Sequence, residues 1–292
     1  MLKYNIQQNI DIFKCPVCES KMSIYNLRSL ICVNNHCFDL SKNGYVNLLL
    51  FPAKKQYDKA MLKARNKICN NGFFTPVVKQ VCDNIQEINN SGVGKRRILD
   101  AGCGEGSNLN HIINQLNCKT GIHYQGVGID ISKAGIQIAS KNYPDNIWCV
   151  GDLAKSPFNN RKFDIILNIL SPANYFEFNR ILVDAGILIK VIPGRNYLKE
   201  LRDAFYNKTA RQIYSNKKIV EHFKENFSLI AQQQLSYTVE LEQENLGNFI
   251  KMTPLSWRAP GEKIQKLLNI GLPKITVDLI IMCGRKVDPR CR

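Results

Sequence analysis

The chain has 292 residues, 45% of them hydrophobic, enough to bury a full core and to carry one large domain with a smaller one beside it. Forty Lys and Arg against twenty-four Asp and Glu leave a net charge of +16, the balance expected of a protein with a polyanionic partner. No stretch approaches the roughly 18 apolar residues that span a membrane, and the eleven cysteines, scattered through apolar segments as at Cys69, Cys82, Cys118 and Cys149, read as reduced thiols of a cytoplasmic protein without a signal peptide.

Residues 13 to 50 form a turn-rich unit. It places Cys15 and Cys18 in CPVC, Cys32 after thirteen intervening residues, then His36 with Cys37 directly after. Two cysteines on one knuckle and a Cys/His pair on a second satisfy the tetrahedral N/S preference of a closed structural zinc site, with His36 or Cys37 as fourth ligand. Residues 52 to 70 are basic, with helical spacing at Met61, Leu62, Arg65 and Ile68; residues 1 to 70 hold eleven Lys and Arg against four Asp and Glu. The expected division is a zinc-binding domain over 1–51, a basic linker helix over 52–75 and a large domain over 76–292. Lys54, Lys55, Lys59, Lys63 and Arg65 are expected to hold RNA backbone.

From Pro76 an amphipathic helix leads through NNSGVGKR into ILDAGCGEG, after which apolar runs (YQGVGID, IWCVGD, FDIILNIL, AGILIKVIP) alternate with amphipathic segments. That alternation predicts an α/β fold, a doubly wound sheet with helices on both faces. In the glycine loop Asp100 closes a buried strand, and Gly102, Gly104 and Gly106 let the backbone turn and approach a ligand before a helix begins. The loop resembles the first motif of class I S-adenosylmethionine-dependent methyltransferases, whose Rossmann-like fold it implies. Asp130, ending the next strand, is then expected to accept the ribose hydroxyls, and Asp152, ending the third, the adenine amino group. The acceptor pocket is expected beside the fourth strand at Asn168, Ser171 and Pro172, with Trp257. Phe73, Phe74, Tyr175, Tyr197 and Trp257 are candidates to stack on an extruded base.

Taken together, CPVC, CVNNHCFDLSKNGYVNLL, MLKARNKI, GFFTP, ILDAGCGEG, VIPGRNYLKEL and KMTPLSWRA resemble the bacterial 23S rRNA guanine-N1-methyltransferase family, in order from residue 13 to about residue 260. The resemblance implies S-adenosyl-L-methionine as methyl donor, an RNA-docking role for the zinc-binding domain over 1–51, catalysis by the methyltransferase domain over 76–292, and zinc held by Cys15, Cys18, Cys32 and His36. It also implies Phe74 and Tyr197 near the cofactor, Tyr197 standing where the family usually has a histidine. The implied substrate is a guanine in a hairpin loop of domain II of 23S rRNA. Family members split between two neighbouring guanines there, one branch being linked to macrolide resistance; a homodimer is compatible with the pattern. N1 of neutral guanine carries a proton, yet NILSPAN offers no carboxylate to accept it, so no general base is named. Two alternatives remain: a small-molecule methyltransferase with a structural zinc knuckle, which the cationic front end argues against, and a non-enzymatic RNA-binding protein, which the intact glycines with Asp100 and Asp130 argue against.

Overall fold

Apolar runs too short to be helices alternate with amphipathic segments through the middle of the chain. In the computed structural model each such run is a strand buried on both faces, as parallel strands between two helical layers must be. The structure describes residues 2–52, 58–88, 94–207 and 215–287. The N-terminal part comprises α1 (Leu2–Gln8), a small antiparallel sheet of β1 (Met22–Tyr25), β2 (Ser29–Cys32) and β3 (Cys37–Asp39), and the two-residue β4 (Val46–Asn47). Then follow α2 (Lys59–Asn70), α3 (Thr75–Ile88), β5 (Lys95–Ala101), α4 (Ser107–Lys119), β6 (His123–Asp130), α5 (Lys133–Asn142), β7 (Ile147–Val150), β8 (Phe163–Ile169), α6 (Tyr175–Ile181) and β9 (Leu182–Pro193). The last third adds α7 (Lys199–Tyr206), α8 (Lys217–Asn226), β10 (Phe227–Glu240), α9 (Gln243–Met252), α10 (Gly261–Ile270) and β11 (Lys274–Lys286).

The main sheet runs β10-β11-β9-β8-β5-β6-β7-β4. Pairings from β4 through β9 are parallel, while β11 runs antiparallel to both β9 and β10. The strand order reverses beside β5, where β6 lies on one side and β8 on the other. That is the switch point at which open α/β sheets bind ligands over the carboxyl ends of their strands. Alternate residues of each strand enter two cores. Ile98, Ile165 and Ile187 pack with α2 to α5, α7 and α9, whereas Leu99, Ile166 and Leu188 pack with Ile6, Ile12, Phe13, Phe178 and Phe223. Among the described residues no helix is long and apolar enough to cross a membrane.

The divisions expected at residues 51 and 75 do not coincide with gaps in packing. β4 is the outermost strand of the main sheet, with Val46 opposite Cys149 and Asn47 opposite Val150. Phe13 bridges to Phe158, and Asp11 receives a two-pronged ion pair from Arg97 at 3.0 and 2.8 Å. The segment read as a linker helix is α2, which packs on α4, α5 and α9. Lys54 and Lys55 lie outside the described residues.

Candidate cofactor, metal and acceptor sites

The small sheet gathers Cys15, Cys18, Cys32 and His36 so that their ligand atoms lie within 4.8 Å of one another. The turn into His36 passes through Asn35 at φ +61°, a left-handed position that asparagine tolerates. Cys18 Sγ and Cys32 Sγ are 3.7 Å apart, and His36 Nδ1 is 3.6 Å from Cys15 Sγ and 3.4 Å from Cys32 Sγ. Tetrahedral zinc, with Zn–S of about 2.3 Å and Zn–N of about 2.0 Å, sets S···S at about 3.8 Å and S···N at about 3.5 Å, so the four donors fit the ion. Cys37 is exposed on β3 and stands outside the group.

All three loop glycines adopt the left-handed backbone, Gly102 at φ +87°, Gly104 at +58° and Gly106 at +85°. Their surroundings differ. A Cβ on Gly102 would sit 1.9 Å from Ser171 Oγ, and one on Gly106 would sit 2.5 Å from the Trp148 ring, but one on Gly104 meets nothing within 4 Å. Gly102 and Gly106 are thus required by neighbouring protein, while Gly104 borders open space. Asp130 is buried at the end of β6, its two oxygens accepting from Gly104 N and Ser132 N, each at 2.8 Å. Each oxygen keeps a second lone pair for a hydroxyl donor. Burial raises the Asp130 carboxyl above its usual range, against the pull of those two amides and of Arg65.

Asp100, 2% exposed, has a buried Oδ1 with no hydrogen-bond partner. Burial first, and Asp130 second, push its carboxyl up to about 7, with Arg65 opposing. An unpartnered buried carboxylate oxygen is costly unless a ligand donor meets it. S-adenosylmethionine carries an ammonium and two ribose hydroxyls, donors of the kind that Asp100 and Asp130 lack, so the residues fit the group. Asp152 is exposed; its Oδ1 accepts from Ala154 N at 2.8 Å and caps a short 3-10 turn.

Arg65 requires a correction. Lys59 and Lys63, with Lys67, are exposed on α2, but Arg65 turns inward, its guanidinium 5.4 Å over the Phe74 ring and its Nε 3.5 Å from the buried Glu105. It cannot also hold an RNA backbone outside. Phe74 is accordingly buried beneath Arg65. Tyr197 is half-buried near the same guanidinium, and burial pushes its hydroxyl up to about 12. Its turn is pinned by Asn196 N donating to the buried Asp278 carboxylate at 2.8 Å. An arginine among lysines was one sequence signal that it differs.

Asn168 is wholly buried and acts as a strut: its Nδ2 donates to Ala101 O at 2.8 Å and to Pro172 O at 3.0 Å, tying the acceptor loop to the end of β5. Its Oδ1 accepts from Lys190 Nζ, which also donates to Ser171 O at 3.0 Å. Lys190, missed in the sequence reading, is buried, and desolvation lowers its ammonium to about 8. A single charge in the apolar run ILIKVI was its signal, since a buried charge needs partners. Beyond Pro172 a cleft of about 540 Å³ opens between Asp152, Asn174, Tyr175, Phe176 and His222. Of the candidate stacking aromatics, Phe73 and Phe74 are buried in the core and cannot face a base, while Tyr175, 4% exposed, lies in the wall of the cleft with its ring packed against His222. Trp257 is 56% exposed on a 3-10 turn beside α7 and α9, and Phe176, at 79%, is the exposed ring of the cleft.

Two family models match the chain: a zinc-ribbon family described as "RlmA, N-terminal" over residues 13–57, and one described as "Methyltransferase domain" over residues 98–184. The chain is 41% identical over 285 residues to "Putative 23S rRNA (guanine-N(1)-)-methyltransferase YxjB" of Bacillus subtilis (strain 168), covering 95% of this chain and 98% of that one. It is 27% identical over 270 residues to "23S rRNA (guanine(748)-N(1))-methyltransferase" of Streptomyces fradiae, covering 91% and 94%.

Proposed function

Since the chain belongs to the family of 23S rRNA (guanine-N(1)-)-methyltransferases, we propose that its target is one guanine in a hairpin loop of domain II of 23S rRNA. The protein is an S-adenosylmethionine-dependent methyltransferase with a zinc ribbon. The observation that supports the reading of the target is that the segment carrying the cysteine-histidine cluster continues into β4, the outermost strand of the main sheet, so that the ribbon, read as the unit that grips RNA, is built into the catalytic sheet rather than tethered to it. A single base inside a folded RNA loop has to be recognised from outside the transfer pocket.

In this reading Cys15, Cys18, Cys32 and His36 hold zinc. Asp130 accepts the ribose hydroxyls, Asp152 the adenine amino group and Asp100 the ammonium of the amino-acid end. Gly102 and Gly106 shape the loop, Gly104 lets the backbone approach the ligand, and Phe74 and Tyr197 close that end of the pocket. The bound cofactor supplies an electrophilic methyl group on a sulfonium, which asks of the protein chiefly alignment. Ser171 and Pro172 present the acceptor, and Asn168 with Lys190 fixes their carbonyls. Phe176 and Trp257 replace the buried rings as the surfaces on which a splayed base can stack.

The test is incubation of the protein with radiolabelled S-adenosylmethionine and unmodified 23S rRNA, followed by mass-spectrometric mapping of the labelled nucleotide. The reading expects one N1-methylguanine in that loop, either at the position named for the Streptomyces fradiae relative, 748, or at the neighbouring guanine. Label at an exocyclic amine, or outside domain II, refutes it.

A further inference from the structure

The amino-acid end of the methyl donor is a zwitterion, and the carboxylates above account only for its positive half. Asp100, Glu105 and Asp130 are all buried around the glycine loop. Arg65 is the cation that opposes the raised pKa of both Asp100 and Asp130. Glu105 does not use it up. The Glu105 carboxylate already accepts from Asn66 Nδ2 at 2.7 Å, Ser107 Oγ at 2.7 Å and Ser107 N at 3.3 Å, while Arg65 comes no nearer to it than 3.5 Å, at Nε.

The terminal nitrogens of Arg65 make no hydrogen bond among the described residues, and its side chain is still 22% exposed. A guanidinium stacked on a buried ring, with its fork open, is preorganised for a planar, bidentate anion. Asp100, whose Oδ1 is unpartnered, lies within electrostatic reach of it. We propose that Arg65 receives the carboxylate of the cofactor's amino-acid end, beside Asp100 as receptor for its ammonium. The assignment rests on the S-adenosylmethionine reading above. The rival role for Arg65 is purely structural, a counter-ion that clamps α2 to the glycine loop.

Two ligands separate these roles: S-adenosylhomocysteine, which has the amino-acid end, and 5′-methylthioadenosine, which lacks it. Calorimetry on the full chain should show Arg65→Gln weakening S-adenosylhomocysteine roughly ten- to hundredfold, as for the loss of a charge-assisted hydrogen bond, with 5′-methylthioadenosine unchanged. Arg65→Lys, which keeps the charge without the fork, should fall between. Because the readout is the ratio of the two affinities within one variant, partial misfolding cancels, and Arg65→Lys carries the test if Arg65→Gln does not fold. An equal loss for both ligands, or none for either, overturns the assignment. A wild-type protein that binds the two ligands equally overturns it as well, while the cofactor reading stands. A wild-type protein that binds neither overturns both.

Discussion

Alanine placed in turn at Gly104 and Gly106 should separate two functions that the glycine loop performs. Both positions are left-handed, at φ +58° and +85°, so each substitution carries a backbone cost of about 1–2 kcal/mol. At Gly106 the new methyl would also lie 2.5 Å from the Trp148 ring and 2.7 Å from Ala139 Cβ, both in the core. Overpacking of that kind adds about 1–3 kcal/mol, for a total of about 2–5 kcal/mol. At a few degrees per kcal/mol for a chain of this size, Gly106→Ala should lower Tm by about 5–15 °C and Gly104→Ala by about 2–6 °C. Affinity should follow the opposite order. The Gly104 methyl meets no protein atom within 4 Å, so it projects into the space where the cofactor is proposed to lie. Thermal unfolding of the cofactor-free protein and calorimetric titration with S-adenosylhomocysteine, run on both variants, measure the two effects. If Gly104→Ala unfolds as early as Gly106→Ala, or binds as tightly as wild type, the assignment of Gly104 to the ligand face is wrong.

Elemental analysis should find one zinc per chain, lost in Cys15→Ser and His36→Ala and kept in Cys37→Ser, because Cys37 stands outside the cluster; zinc loss in Cys37→Ser would reassign the fourth ligand. The Asp100 carboxyl, held at about 7 by burial, binds its proton more tightly folded than unfolded. Stability of the cofactor-free protein should therefore fall, by on the order of a few kcal/mol, as pH rises from about 4 to about 7. Asp100→Asn should flatten that slope in urea titrations, and an unchanged slope would place the titration elsewhere. Reversal of Lys59, Lys63 and Lys67 to Glu should weaken RNA binding and reduce its dependence on log salt by roughly 2–3 in slope; an untouched slope would show that the exposed face of α2 does not meet phosphate.

The central strands could be read from sequence because a strand buried on both faces is a bare apolar run, and β5 to β9 lie at ILDAG, GVGID, IWCV, FDIILNI and GILIKVI. β10 shows why the reading stopped after Pro193. It is half-buried and mixes polar with apolar residues at every second position, so QQQLSYTVE gives a weak signal, and its place is set by β11, which follows it across α9 and α10. Contacts across the sheet were hidden for a different reason. Asn168 and Lys190 are 22 residues apart and meet only because β8 and β9 pair in register. Arg65 shared the charge of its neighbours and was grouped with them, although a helix of this period turns it to another face from Lys59, Lys63 and Lys67. Lys54 and Lys55, outside the described residues, remain expectations.

The two residues of β4 have a consequence beyond their size. A zinc ribbon on a loose tether could sample many distances from the catalytic edge and would tolerate RNAs of many shapes. Here Val46 and Asn47 are hydrogen-bonded into the sheet, and Ile12, Phe13, Cys15 and Leu30 share a core with Leu99 and Val127. Removing residues 1–50 would therefore strip a sheet edge and a substantial part of one core rather than detach an accessory. The ribbon and the glycine loop are thus carried on one sheet like the two jaws of a fixed caliper. On the proposal that RNA grips the ribbon, the base offered for transfer would be the one lying a jaw-width away, and selection of the guanine would be a measurement of length as much as a reading of sequence.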